Sequence, residues 1–567
     1  MLLGGVGRLV TVRWGDPFLF HPDEKGFVMW EAASIEWRGL TRDDWRPRTT
    51  TYGPVVYELA IGLKWAFLGG LDEARRDVAL YPDDWAYVSA ANAGWLEGEP
   101  FSMLAWTQLV RTFMAITSAL AIALLALAAW RLSGPVAGAV AAWLAAPCVG
   151  LVQASHLATT DSLVLVEIAM VLHASARLAR GGGLGAAAYA GVALGLVAAT
   201  KTTGLLLLAV LPIAIASDTR APFRGAVRAL ATARFGLAVV LAIAVYTVLC
   251  PWGVFDRATY EAVGGNVSGV AVLRSQYTDH DYGFYDWRFP YNGTTPYLYT
   301  LTHVLSYAVG VPVLIAAIAG LARSRRASAL DARIALAAAL PTFLLVGMWG
   351  VKTIRYAMPM VPGLLLAAAL VLARMLDRGA LARVIAVLVI AAGLARGVAF
   401  TGMFLEPDPR TLAGRWLLDR IEPGDVVALE PEGSYTAPLG TNDDGVGIER
   451  VAPHPIAMRK LWWGAPADVR GHVDRALRGA RFVVVGEIYR RRGMHPEATW
   501  RAPMQARFYR ALFAGETGFE LVATFAREPR LGPIAWDESD AEPFAVAFDH
   551  MPVYVFERRG EYVSPFE

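Results

Sequence analysis

Cysteine is almost missing from this chain: there are two in 567 residues, Cys148 and Cys250. Both sit in apolar stretches and read as small core hydrophobes rather than as a disulfide or a metal pair. Charge is also scarce. Asp, Glu, Lys and Arg make up 18% of the residues, against about 25% in a soluble domain. The formal net charge is +2 and no basic stripe is present, so nothing points to nucleic acid. No cleavable signal peptide with an A-x-A exit is visible. There is no Gly-rich phosphate loop and no cluster of Cys and His at metal-ligand spacing. No tandem repeat or low-complexity tract stands out.

What is abundant is apolar sequence. Hydrophobic residues reach 55% and mean hydropathy is +0.40. Long Ala/Leu/Val runs recur from residue 105 to residue 400. Several have the roughly 18–20 residues that cross a bilayer as a helix, which makes the chain a polytopic α-helical membrane protein. Spans are predicted near 106–130, 134–152, 162–179, 184–199, 203–217, 235–250, 300–322, 334–350, 356–373 and 384–400. Residues 2–14 would be a first span, but the run is short and holds Arg8 and Arg13. Either the chain starts late or this helix is atypical. Residues 53–69 are apolar but broken by Glu58 and Lys64, and are predicted to lie along the interface.

Arginines set the orientation. Alternate connections carry Arg131; Arg177 and Arg180; Arg220, Arg224, Arg228 and Arg234; Arg323, Arg325, Arg326 and Arg333; and Arg374, Arg378 and Arg383. By the positive-inside rule these are cytoplasmic, and the count comes to about eleven spans. The opposite set is extracytoplasmic: 15–105, 153–161, 200–202, 251–299, 351–355 and everything after 400. Residues 1–400 then form the membrane domain, with a first outer loop at 15–105 and a long one at 251–299. From about 401 short β-rich runs appear at 425–430, 481–487, 519–525 and 553–558, between helical patterns near 409–421, 466–478 and 502–515. That alternation predicts an extracytoplasmic α/β domain over 401–567.

The polar clusters all fall on the outer side: "HPDE" (21–24), "SHLATTD" (155–161), "ATKTTG" (199–204), "KTIRY" (352–356) and the aromatic-acidic loop 276–299. Each has a plain reading. Asp161 suits a helix N-cap, and Lys201 suits a short hairpin. Lys352 and Arg355 could bind lipid headgroups, and His156 could be a satisfied interfacial histidine. Glu167 lies inside a span, where a carboxylate is costly unless hydrogen-bonded. Asp23 and Glu24 could be surface residues. Taken together, two acidic sites and three basic positions share one face. Cations can hold a phosphate leaving group, and a carboxylate can activate a hydroxyl. In the long loop Tyr277, Tyr282, Phe284, Tyr285, Trp287 and Tyr291 alternate with Asp279, Asp281 and Asp286. Aromatic faces with acidic partners suit sugar rings.

The ordered set "HPDE", "YGPVVYEL" (52–59), "SHLATTDSLVL" (155–165), "GLVAATKTTGLLLL" (195–208) and "KTIRYAMPMVPGLLLAA" (352–368) resembles the integral-membrane glycosyltransferases of the GT-C class. The likeness is to the branch with protein O-mannosyltransferases and the aminoarabinose transferases of lipid A. It implies a GT-C fold in the cell (plasma or inner) membrane and a polyprenyl-phosphate-linked sugar donor. The acceptor would be a hydroxyl on a protein, lipid or glycan. It implies Asp23 as general base, with Glu24 supporting it or helping to hold a divalent cation where the family uses one. Asp161 would be the second catalytic carboxylate. Lys201, Lys352 and Arg355 would bind the donor phosphate, and His156 and Tyr356 the substrate. One-step displacement with a single base implies inversion. The chain departs from the pattern in its short first helix and at Thr202, where many members place glycine.

Two other readings compete. A transporter or flippase for a lipid-linked glycan would place charges near the midplane of two related halves, whereas here they gather at one face and no halves repeat. An inactive scaffold binding cell-envelope polymer through residues 401–567 would make Asp23 and Asp161 dispensable.

Overall fold

The computed structural model describes residues 2–16, 18–35, 53–70, 103–216, 222–255, 287–326, 328–422, 424–430, 435–439, 452–453 and 466–566. The acidic-aromatic stretch 276–286 lies outside these, so only Trp287 and Tyr291 of the predicted sugar-facing loop can be placed.

Apolar, largely helix-favouring composition makes the described chain up to Met403 mostly helical. Four helices are long and apolar enough to cross a membrane: Leu104–Ser133, Thr160–Ala179, Ile354–Leu376 and Ala380–Met403. The number rises to seven if each bent pair is one span: Pro135–Ala145 with Val149–Ser155, Phe223–Ala229 with Ala233–Leu249, and Thr300–Val309 with Val311–Arg325. The chain is therefore an integral membrane protein. The breaks follow residues that interrupt the helix ladder. Pro147 precedes the second half of the first pair, and Gly310, at φ +83°, turns the third pair through 108°. Shorter apolar helices occupy Leu184–Thr200 and Thr202–Ile215, the latter starting as a 3-10 helix.

The first helix covers Leu2–Val10. Nine residues rise only about 13 Å, less than half a bilayer core. It is held sideways, by its charge. Arg8 is 1% exposed and donates to Ser118 Oγ at 2.9 Å and to the Ala146 carbonyl at 2.9 Å. Val55–Phe67 is a separate helix fastened to Leu104–Ser133 by Trp106, whose indole N–H donates to the Ala60 carbonyl at 2.7 Å.

The helices have two chemically different ends. At one end the arginine turns meet. Arg374 Nη2 donates to Asp331 Oδ2 at 2.5 Å, Ser133 Oγ donates to the same oxygen at 3.1 Å, and Arg180 donates to the Arg131 and Leu132 carbonyls. At the other end of the same helices stand Asp161 and Arg355. At about 1.5 Å per residue, Asp161 and Arg177 lie roughly 24 Å apart along one helix, and Arg355 and Arg374 roughly 28 Å apart along another.

The C-terminal part is built on a sheet. Its strands are β1 (Val426–Leu429), β2 (Ala452–Pro453), β3 (Phe482–Gly486), β4 (Phe519–Phe525) and β7 (Val553–Arg558), in the order β2-β1-β3-β7-β4. A separate hairpin pairs β5 (Arg530–Leu531) with β6 (Ile534–Ala535). β1 runs parallel to β2 and β3, and β7 is antiparallel to β3 and β4. The "FVVVG" run of β3 is buried at every position, as expected for a central strand covered on both faces. Between β6 and β7 a short helix, Pro543–Ala547, packs into the helical half, and Ala541, Ala545 and Val546 join its core.

Candidate functional site

Four separated segments bring their polar residues to one place, at the end of the bundle opposite the arginine turns. "HPDE" enters through a turn at Gly15, where φ is +80°. Phe18 and Phe20 are buried behind it, and the Arg410 guanidinium lies 4.0 Å from the Phe20 ring centroid. His21 Nδ1 accepts the Asp23 backbone N–H at 3.1 Å, and the His21 ring lies 4.1 Å from that of Phe548 in the C-terminal part. Asp23 opens a π-helical stretch, Asp23–Trp30, a form that recurs at functional sites. Its carboxylate pairs with Arg355 Nη1.

Arg355 bridges two carboxylates. Besides Asp23 it holds Asp161, with Nε donating to Oδ2 at 2.6 Å. Asp161 lies in the first turn of Thr160–Ala179, where the helix dipole favours an anion. Lys201 completes the group. Its ammonium donates to Asp161 Oδ1 at 3.2 Å and to the Arg355 carbonyl at 3.1 Å. Lys201 also lies 5.8 Å from the ring centroid of Tyr356, which meets Trp349 and Trp287 edge to face. The turn carrying Lys201 is held from two sides. Thr200 Oγ1 donates to Glu167 at 2.7 Å, which gives the intramembrane carboxylate its partner. Gly53 N–H donates to the Thr200 carbonyl at 3.2 Å. A Cβ at residue 53 would stand 1.6 Å from the Ala199 carbonyl oxygen, so only glycine allows this approach.

Lys352 precedes Arg355 by three residues and is 5% exposed. Among the described residues nothing pairs with its ammonium, and burial lowers its pKa with no charged neighbour to offset the effect. Burial without a paired charge disfavours the ammonium form, and an anion placed beside it would offset that cost.

Asp23, Asp161, Lys201, Arg355 and Tyr356 are thus brought together. Two other candidates face elsewhere. Glu24 is fully buried, and Arg111 grips it through two N–H groups, at 2.6 Å to Oε1 and 2.5 Å to Oε2. Oε1 also accepts the Ala158 N–H at 2.8 Å. A carboxylate so occupied does not fit the role of metal ligand, and the described residues contain no group of three His, Cys, Asp or Glu able to hold an ion. His156 is buried as well. Nδ1–H donates to the Val152 carbonyl at 2.6 Å, Nε2 meets the Thr11 hydroxyl, and the ring stacks on Phe404. These contacts fix the start of the "SHLATTD" turn and leave no ring nitrogen for a substrate.

The sequence reading passed over Arg111. Besides Glu24 it donates to the Trp14 carbonyl at 2.7 Å and to the Val12 carbonyl at 3.3 Å. It therefore anchors the whole segment 12–24 that the short first helix cannot. A lone arginine inside the apolar run 106–130 was the available signal. Glu542, which accepts the Ile354 N–H beside Arg355 at 3.2 Å, carried no signal.

No family model and no curated protein matches the chain. Solved structures similar to it include ArnT from Cupriavidus metallidurans bound to undecaprenyl phosphate, at 13% identity over 98% of this chain and 96% of that one, with a TM-score of 0.48. The oligosaccharyltransferase of Archaeoglobus fulgidus in the apo form is similar at 12% identity over 92% of this chain and 73% of that one, with a TM-score of 0.43. The archaeal oligosaccharyltransferase AglB from the same organism, in complex with an inhibitory peptide and a dolichol-phosphate, is similar at 14% identity over 94% of this chain and 74% of that one, with a TM-score of 0.43.

Proposed function

We propose that this chain is a glycosyltransferase of the outer membrane face, moving a sugar from a polyprenyl phosphate to an acceptor hydroxyl. The observation that carries this reading is the Asp23–Arg355–Asp161–Lys201 cluster, gathered from four segments at one end of membrane-crossing helices. The arginine turns occupy the opposite end, which the positive-inside rule makes cytoplasmic. The site, and the C-terminal part that meets it through Glu542 and Phe548, are then extracytoplasmic. A lipid-linked donor reaches such a site laterally.

The roles follow from charge and geometry. Arg355, Lys201 and Lys352 hold the donor phosphate and stabilise the charge it gains as its bond to the anomeric carbon breaks. In the free site Arg355 ties up Asp23. A phosphate that draws the guanidinium away leaves Asp23 free to accept the proton of the acceptor hydroxyl. The hydroxyl oxygen then attacks the anomeric carbon from the face opposite the phosphate, and the phosphate departs with the bonding electrons. A single displacement of this kind inverts the configuration. Asp161 keeps Lys201 and Arg355 aligned throughout. Glu24 is spent on Arg111.

The test offers a set of polyprenyl-phosphate sugars to the purified protein in bilayers and follows transfer to added acceptors. Asp23→Asn is expected to lower transfer about 10²–10⁴-fold, the usual contribution of a general base, with the melting temperature unchanged. Full activity in Asp23→Asn would overturn the assignment of the base. Movement of labelled lipid across the bilayer with no sugar transferred would favour a flippase instead.

A further inference from the structure

We propose that Glu542, in the C-terminal part, is a positioning residue for the phosphate-binding segment 352–356. The inference rests on the glycosyltransferase reading above. Glu542 is fully buried, and its two oxygens take four donors. Two belong to its own helix, Pro543–Ala547: the Phe544 N–H at 2.8 Å and the Ala545 N–H at 3.0 Å. These are an ordinary N-cap, and many residues could supply it. The other two come from outside. Oε2 accepts the Ile354 N–H at 3.2 Å, and Oε1 accepts the Tyr291 hydroxyl. Capping does not require either of them.

Ile354 stands between Lys352 and Arg355, the two cations of that segment. Its backbone is therefore fixed by a carboxylate of the C-terminal part, while the Arg355 carbonyl is fixed by Lys201. Tyr291 lies where the long loop re-enters the helix bundle, so the same carboxylate ties that loop to the cationic segment. The Glu542 backbone is held in turn, its N–H donating to the His303 carbonyl at 3.2 Å. The route from the C-terminal part to the site is short: Glu542 to the Ile354 amide, and one residue on to the Arg355 guanidinium between Asp23 and Asp161.

Glu542→Asp isolates this role. Aspartate still caps the helix and keeps the charge, but withdraws its oxygens by about one bond length, ~1.5 Å, from Ile354. Full-length variant and parent would be compared in lipid nanodiscs by amide hydrogen exchange over 351–357 and by binding of a sugar-free polyprenyl monophosphate as probe. Glu542→Asp is expected to speed exchange at Ile354 and to weaken probe binding about tenfold, with the melting temperature little changed. Glu542→Gln, which keeps the reach but not the charge, should fall between the two. Unchanged exchange at Ile354, or faster exchange with unaltered probe binding, would overturn the proposal. If the parent protein itself neither bound the probe nor transferred sugar, the glycosyltransferase reading would fall, and the exchange result alone would decide whether Glu542 braces the segment.

Discussion

Arg355 holds Asp23 and Asp161 at once, and this sharing depends on its planar fork. One N–H edge meets Asp161 through Nε, and a terminal nitrogen meets Asp23. A lysine ammonium is a point charge and cannot span both carboxylates in fixed geometry. Arg355→Lys is therefore expected to lower sugar transfer by about 10²–10³-fold, the range found when one charge-stabilising donor is lost. Steady-state rates with a fixed donor lipid would show it. A loss under threefold would mean that charge alone suffices at this position. Lys352 differs in kind: it lacks a protein partner among the described residues and is only 5% exposed, which makes it the cation most readily completed by a ligand.

At the scale of elements, the start of the π-helical stretch is held by a long-range ion pair. Arg111 projects from Leu104–Ser133 and is 1% exposed, and Glu24 is 0% exposed. Removing one partner of such a pair leaves a buried charge and costs about 3–5 kcal/mol. Arg111→Met should thus destabilise the solubilised protein by several degrees in melting temperature and reduce transfer, since segment 12–24 also loses the bonds to the Trp14 and Val12 carbonyls. The double variant Arg111→Met with Glu24→Gln should recover part of the stability, because no charge is stranded. If the double variant were no more stable than the single one, the pair would not be what holds this stretch.

At the scale of the whole molecule, the helical half and the sheet-bearing part meet through buried polar groups. Gln153 Nε2 donates to Asp549 and, at 2.7 Å, to the Ala545 carbonyl. Arg410, in the C-terminal part, places its guanidinium 4.0 Å from the Phe20 ring centroid and is held there by the Ala547 and Phe548 carbonyls, at 3.0 and 3.2 Å. Burial pushes the Asp549 carboxyl up to about 7, whereas an exposed aspartate titrates near 3.9. The folded protein therefore binds this proton more tightly than the unfolded chain does. The stability it lends is full below about pH 4 and is lost as pH rises to about 7. Melting temperature should fall across that window, and Asp549→Asn, which cannot ionise, should flatten the fall. Identical pH profiles for the two proteins would show that Asp549 does not titrate there.

The sequence by itself determined the elements. Each apolar run predicted between 106 and 400 overlaps a helix or a bent helix pair, although only four helices, or seven with each bent pair joined, are long enough to cross a membrane, against about eleven expected spans; the four strand-length runs of the tail are β1, β3, β4 and β7. Hydropathy and β-propensity are local properties, so they are legible along the chain. The sequence also set apart Asp23, Asp161, Lys201 and Arg355, because each lies in a short polar patch at the end of an apolar run. Only the tertiary structure decided which charge meets which. Glu24 stands beside Asp23 in sequence, yet it belongs to Arg111, 87 positions away. His156 turns to Thr11 and Phe404, and the segment holding Arg355 is braced by Glu542, 188 positions on from Ile354. A buried charge must find a partner, but its residue type does not say where. The helix packing that brings the partner supplies that, and it is a property of the whole chain.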